Sequence, residues 1–188
     1  MHKKHVQFLN CDMGVANALR RIINTELLAW APSHVTIHTN TTSLTDEFLV
    51  HRIGLIPFRK LHISCAADVR LELREKGGRV IAGDFKGIAF EPIHPNLHLV
   101  DLQEGQELSL HVDFDQNSAC THARYSMYAA VSLVKSRDDL QLLTFETIDP
   151  LESGAGVIAR ACTCLEDMCD SALKQLAHQP STFPVSRC

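Results

Sequence analysis

The chain has 188 residues, 45% of them hydrophobic and 21% charged, with a mean hydropathy of −0.03, as in an ordinary globular protein. Its length fits one large or two small domains. No run approaches the ~18 apolar residues needed to cross a bilayer, and the opening Met1-His2-Lys3-Lys4-His5-Val6-Gln7 lacks a leader's apolar core. A net charge of −4 and a pI of about 6.2 argue against a protein that grips nucleic acid unaided.

Val6-Gln7-Phe8-Leu9 reads as a short strand, and Asp12 is positioned to cap a helix. Val15, Leu19, Ile22, Ile23, Leu27 and Trp30 follow at helical spacing, with Pro32 as the expected stop. His34 to His38 alternates as a half-buried strand. Thr45 to Arg52 reads as a short helix capped by Thr45, with Asp46 and Glu47 in its first turn and Arg52 near its end, where the helix dipole favours each. Gly54 ends that helix and Pro57 prevents a restart.

From residue 61 to about 148 the pattern changes to strands. Val69–Arg74 alternates, Lys76-Gly77-Gly78 reads as a turn into Val80-Ile81, and Leu97–Leu102, Leu108–Phe114, Met127–Val134 and Leu142–Ile148 follow. The last element is a helix from about Gly156 to Ala177, in which Ile158, Ala161, Leu165, Met168, Ala172 and Leu176 form one apolar stripe. The tail beyond Pro180 is expected to fray. Two long amphipathic helices thus flank a β-rich middle, which suggests a domain made from both ends of the chain with a second domain inserted. Spacing alone leaves open whether the stripes pack on the chain's own sheet, on a partner, or on both.

The charge is uneven. Residues 1–31 carry Lys3, Lys4, Arg20 and Arg21 against Asp12 and Glu26, whereas residues 138–170 carry Asp138, Asp139, Glu146, Asp149, Glu152, Glu166, Asp167 and Asp170 against Arg160 alone. The seven cysteines (Cys11, Cys65, Cys120, Cys162, Cys164, Cys169 and Cys188) are odd in number and scattered, as expected of reduced thiols inside a cell. Cys162 and Cys164 point to opposite sides of a helix and so cannot share a metal there. The histidines show no metal-ligand spacing either, so no metal and no cofactor is expected.

Two stretches are more specific: Ala16-Asn17-Ala18-Leu19-Arg20-Arg21-Ile22-Ile23, and the block from Asn40-Thr41-Thr42-Ser43-Leu44-Thr45-Asp46-Glu47 through His51-Arg52-Ile53-Gly54-Leu55-Ile56-Pro57. Together they resemble the alpha-like subunit family of multisubunit DNA-directed RNA polymerases. That family comprises the third-largest subunit of eukaryotic polymerase II, its archaeal counterpart and the N-terminal domain of bacterial alpha. One extra Thr separates the second block from the family pattern, and the block is of the eukaryotic and archaeal kind. Glu104-Gly105-Gln106-Glu107-Leu108, His122-Ala123-Arg124-Tyr125-Ser126 and Phe145-Glu146-Thr147 resemble later family segments more loosely.

The resemblance implies an α+β fold: a discontinuous dimerisation domain (a sheet plus two long helices) at residues 1–31 and 143–188, and an inserted β-rich domain at 32–142. It implies a non-catalytic assembly subunit that pairs with a smaller alpha-like subunit as a heterodimer. The expected dimer interface is Leu19, Ile22, Ile23, Ile158, Ala161, Leu165, Met168, Ala172 and Leu176. Docking of the second-largest and largest subunits, and of a small zinc-binding subunit, falls to Arg20, Arg21, Asp46, Glu47, His51, Arg52, Gly54, Leu55, Ile56 and Pro57. A guanidinium such as Arg20 or Arg21 suits bidentate pairing with carboxylates at an interface, although solvated helix charges would look the same in sequence, and Asp46, Glu47 and Arg52 could serve their helix alone. DNA would be met only through the complex, and no membrane is involved.

The chain also departs from the family. Its insert has only Cys65 and Cys120, too few for the zinc loop of polymerase II's third subunit or for archaeal iron–sulfur ligands. It opens almost at its first strand and is short for a cellular member, which fits a compact version such as one encoded by a large DNA virus. The expected location is intracellular: the nucleus if eukaryotic, the cytoplasm, virion or viral factory if viral. Two other functions are compatible with the residues, a stand-alone homodimeric scaffold that reuses the fold and a thiol or metal hydrolase, for which no motif nominates a nucleophile.

Overall fold

The first strand, β1 (His2–Leu9), turns at Asn10, which takes a positive φ of 53° that asparagine tolerates, into α1 (Met13–Thr25). Asp12 caps α1: its Oδ1 accepts from the N–H groups of Gly14 at 2.7 Å and Val15 at 3.3 Å. The computed structural model describes residues 1–61, 70–135 and 140–178. Val69, Asp138, Asp139 and the tail after Pro180 therefore lie outside the described residues.

The helix expected to reach Trp30 stops at Thr25, with Glu26 as its C-cap. Residues beyond it form β2 (Leu28–Asn40), so Trp30 and Pro32 sit in a strand, not at a helix end. A long-range ladder overrides the helical spacing here, since Leu28 to Pro32 pair with Ser118 to Phe114 of a strand far along the chain. Pro32 is tolerated because β2 is an edge strand and its register shifts between Pro32 and His34.

After α2 (Asp46–Gly54) come β3 (Phe58–Lys60), β4 (Arg70–Ile81), β5 (Phe90–Pro92) and β6 (His98–Ser118). Thr45 stands at the N-cap of α2, but its side chain makes no capping bond, contrary to expectation. The expected turn at Lys76-Gly77-Gly78 is a bulge within one continuous strand. Gly77 and Gly78 take φ of 68° and 91°, and the register jumps from Lys76↔Glu107 to Gly78↔Leu102. Gln103 to Gln106 swell out on the opposite side, so the two strands expected at 97–102 and 108–114 are halves of β6. β7 (Tyr128–Lys135), β8 (Leu140–Thr147) and α3 (Gly154–His178) complete the chain.

The strands form antiparallel sheets in the orders β1-β8-β7, β2-β6-β4 and β3-β5. Mixed helices and mainly antiparallel sheet make the chain α+β. β7 pairs with β8, so residues 128–135 share a sheet with the chain's two ends, although the expected boundary at 142/143 groups them with the middle. Along β8 the inward positions are Gln141, Leu143, Phe145 and Thr147. Leu143 and Phe145 meet Leu19, Ile22 and Ile23 of α1 and Val157 and Ala161 of α3 in one core. A separate core joins Leu49, Ile53, Ile56 and Phe58 to Leu99, Leu108, Leu110 and Val112, with Phe90 stacked on Phe114 at 4.1 Å between centroids.

Candidate functional site

The polar residues of the Asn40–Thr45 block build the approach to α2. Asn40 Oδ1 accepts from the Thr42 N–H at 3.0 Å and the Thr42 hydroxyl at 2.7 Å; its Nδ2 donates to the Leu44 carbonyl at 3.0 Å and to Asp46 Oδ1 at 2.6 Å. Thr41 is tied to Glu107 of β6: its N–H donates to the Glu107 carbonyl at 3.1 Å, and its Oγ1 accepts from the Glu107 N–H at 2.7 Å. This loop sets the pose of a helix whose inner side is fully buried at Leu49 and Ile53.

What α2 leaves outside is an apolar and acidic face. Asp46, Glu47, Val50, His51 and Leu55 are exposed, with Leu55 at 52%, and they surround a hollow of about 410 Å³. Arg52 is half-buried; its Nη2 donates to the His98 carbonyl at 2.9 Å, and its guanidinium lies 5.8 Å from the Phe48 ring centroid. Gly54 is buried, Pro57 half-buried, and Ile56, 2% exposed, belongs to the core. Ile56 therefore has no free side chain to dock anything.

His122 and Arg124 complete the hollow from a segment some seventy residues later, and neither is among the docking residues expected from sequence. Their only signal was the looser family-like stretch His122-Ala123-Arg124-Tyr125-Ser126. It folds into a short 3-10 turn in which His122 Nδ1 accepts from the Arg124 N–H at 3.1 Å. Arg124 Nη1 donates to the Pro32 carbonyl at 2.8 Å, and the Tyr125 hydroxyl donates to Asp115. Burial, reinforced by that carboxylate, pushes the Tyr125 phenol up to about 12. The Tyr125 phenol is thus neutral at ordinary pH.

Arg20 and Arg21 lie on α1, away from its buried residues. Arg20 is half-buried, with Nε donating to Asn17 Oδ1 at 3.0 Å, and Arg21 is exposed. Among the described residues neither is held in an ion pair, which leaves the Arg21 guanidinium available to an outside carboxylate.

The expected interface residues divide between α1 and the two halves of α3. Leu19, Ile22, Ile23 and Ala161 are at most 4% exposed inside the chain's own core, so their side chains cannot meet a partner as the chain stands. Ile158 and Leu165 are half-buried against that core. From Glu166 to Ala177 every residue is exposed, including Met168 at 50%, Leu173 at 64% and Leu176 at 65%. A hollow of about 770 Å³ runs beneath this half of α3, between Met168 and Ala172 on the helix and Leu27, Leu28 and Gln116 below.

Two of the thiols are held away from the reactive thiolate form, while Cys65 and Cys188 lie outside the described residues. A hydrogen bond to Glu26 (Sγ to Oε1, 3.3 Å) raises the Cys120 thiol, and burial, with Glu26 and Asp167 nearby, raises that of Cys164. No group of three or more His, Cys, Asp or Glu side chains suited to a metal occurs among the described residues.

Fold and surface define an α+β chain with two open faces, one on α2 and one on the outer half of α3. The chain is 27% identical over 169 residues to DNA-directed RNA polymerase subunit Rpo3 of Methanocaldococcus jannaschii, covering 89% of this chain and 87% of that one. With Rpo3 of Thermococcus kodakarensis it shares 33% over 125 residues, 61% of this chain and 48% of the other. With DNA-directed RNA polymerase II subunit RPB3 of Schizosaccharomyces pombe it shares 40% over 72 residues, 37% and 24% of the two chains. No family model matches the chain. These similarities bear out the resemblance to RNA polymerase subunit 3, the alpha-like subunit, that the two sequence blocks carry.

Proposed function

We propose that the chain is a non-catalytic assembly subunit of a DNA-directed RNA polymerase. Its supporting observation is the pairing of a folded core with two uncovered faces in a chain similar to subunit 3 along 87% of the Methanocaldococcus protein. The outer half of α3 pairs with a smaller alpha-like subunit, through Met168, Ala172 and Leu176 and the rim of Leu165. The α2 face, with Asp46, Glu47, His51 and Leu55 on its surface, holds the second-largest subunit and a small zinc-binding one. Arg20 and Arg21 meet the larger subunits. DNA is contacted by the complex and not by this chain, whose location is that of its polymerase: the nucleus of a eukaryote, or the cytoplasm or viral factory of a virus-encoded enzyme.

The division of the chain belongs to the same proposal. The two ends form the dimerisation domain and the middle forms the insert, with a core for each. The strand pairing favours boundaries near residues 27 and 127 over 31 and 142, because β2 and β8 then stay whole and β7 stays with the sheet it pairs into.

The test is affinity purification of the tagged chain at native levels from its own cells. Recovery of the two largest polymerase subunits in fixed proportion, with promoter-independent RNA synthesis in the eluate, is the expected result. A chain recovered only as copies of itself would favour the homodimeric scaffold and overturn the proposal.

A further inference from the structure

Among the described residues the strongest packing runs within each core and not between the two. α1 packs on α3, β7 and β8, whereas α2 packs on β2 and β6, and β3 on β5 and β2. The polypeptide crosses between the groups at Glu26–Leu27 and again between Ser118 and Tyr128. These crossings run side by side, the Cys120 N–H donating to the Thr25 carbonyl at 3.2 Å, as strands of a pivot would. Next to them lies a hollow of about 300 Å³ lined from both groups, with Trp30 and Phe58 on one side and Met127 and Leu151 on the other.

Among the described residues a charged side-chain bridge spans this junction. Arg59, in β3 just past the α2 block, donates from Nε to Asp149 Oδ2 at 2.6 Å and from Nη2 to Asp149 Oδ1 at 2.5 Å. Its Nη1 donates to Glu91 Oε1 on β5 at 2.8 Å. Asp149 lies between β8 and α3, ninety residues away in sequence, and is 9% exposed. Its own pose is fixed, with Oδ1 accepting from the Leu151 N–H at 2.9 Å and its N–H donating to Thr147 Oγ1 at 3.2 Å. A planar guanidinium gripping one carboxylate with two nitrogens fixes direction as well as distance, which a lysine cannot do.

We propose that Arg59 is a positioning residue whose two-pronged bond to Asp149 latches the middle of the chain onto the sheet and helices formed by its ends, setting the angle between the α2 face and the α3 face. That these faces are docking surfaces rests on the function proposed above; the latch itself is a property of the lone chain. Each group keeps its own core when the latch is cut, and what changes is their relative orientation.

The experiment measures distances by pulsed electron spin resonance in the full chain, with genetically encoded spin labels at the exposed positions Ile88 and Asp170, so that the natural cysteines are left alone. Arg59→Met and Arg59→Lys are compared with the parent, and circular dichroism reports whether each is folded. The latch predicts one narrow distance distribution in the parent, a broad one shifted toward longer distances for Arg59→Met, and an intermediate width for Arg59→Lys, which keeps the charge but not the fork. Equal widths in all three would overturn it. So would an Arg59→Met chain that fails to fold, because Arg59 would then hold a core together and not the junction. Neither result depends on polymerase binding, so the latch can fail while the proposed function stands, and the reverse.

Discussion

Replacing Met168 and Leu176 together with lysine probes the α3 face without touching the chain's own core. Both side chains are open in the lone chain, at 50% and 65% exposure, and both lie on the stripe that includes Ala172. Full burial of a Met or Leu side chain is worth about 1.5–3 kcal/mol. With half or more of each still to be covered, a partner gains about 1–2 kcal/mol per residue, or about 2–4 kcal/mol for the two. That sum corresponds to a loss of roughly 30- to 1,000-fold in affinity for the smaller alpha-like subunit. Setting lysines against an apolar partner adds to the loss. Lysine is a good helix former, so the lone chain should melt at an unchanged temperature. Sedimentation of the mixed subunits, with a melting curve of the variant alone, reads both quantities. Undiminished pairing would refute the assignment of this face. A variant that melts well below the parent would refute the burial argument, since it would place these side chains in the chain's own core.

Arg21→Ala should leave that pairing intact and weaken attachment of the larger subunits in a stepwise assembly assay; equal loss of both would make Arg21 a folding residue. Asn40→Ala removes the side chain that holds Thr42, Leu44 and Asp46. It should cost about 1–3 kcal/mol in urea unfolding and weaken docking at α2, and no change in the urea midpoint would count against the loop as its support. Acid should uncouple Asp149. Burial pushes its carboxyl up, but the Arg59 hydrogen bonds, the Leu151 N–H and the positive charges of Arg59 and His2 together bring it below the ordinary carboxylate range. Because the folded pKa is the lower one, its stabilisation is complete above the unfolded value of about 3.9 and is lost as pH falls through the folded value. The stability gap between the parent and Asp149→Asn should therefore be constant near neutrality and close below about pH 4. A gap that persists in strong acid would show that the charge is not what stabilises.

What could be read from sequence was local. The Asp12 cap and the start of α1 need only residues 12–15, and the α2 block carries its charges in the turns where the dipole wants them. The end of α1 was illegible because Leu27 and Trp30 continue a helical spacing by coincidence, whereas the strand that starts at Leu28 and takes in Trp30 is dictated by residues 114–118. Gly77-Gly78 has the composition of a reversal, yet whether such a pair turns or bulges depends on the opposing strand, here the swelling at Gln103–Gln106. The α3 stripe was visible as a stripe, but nothing along it marks that Ala161 is covered from within while Leu176 is bare. The hollow beside α2 was half legible, since Asp46, Glu47, His51 and Leu55 lie in one block while His122 and Arg124 arrive through the tertiary fold. Arg59–Asp149 had no local signal at all, because neither residue has an unusual neighbour in sequence.

The measurement that bears most directly on the assembly role is native mass spectrometry of the chain co-expressed with the smaller alpha-like subunit from the same source, before and after the second-largest subunit is added. A one-to-one heterodimer that takes up one copy of the larger subunit is the expected result. A homodimer of this chain that ignores both partners would contradict it.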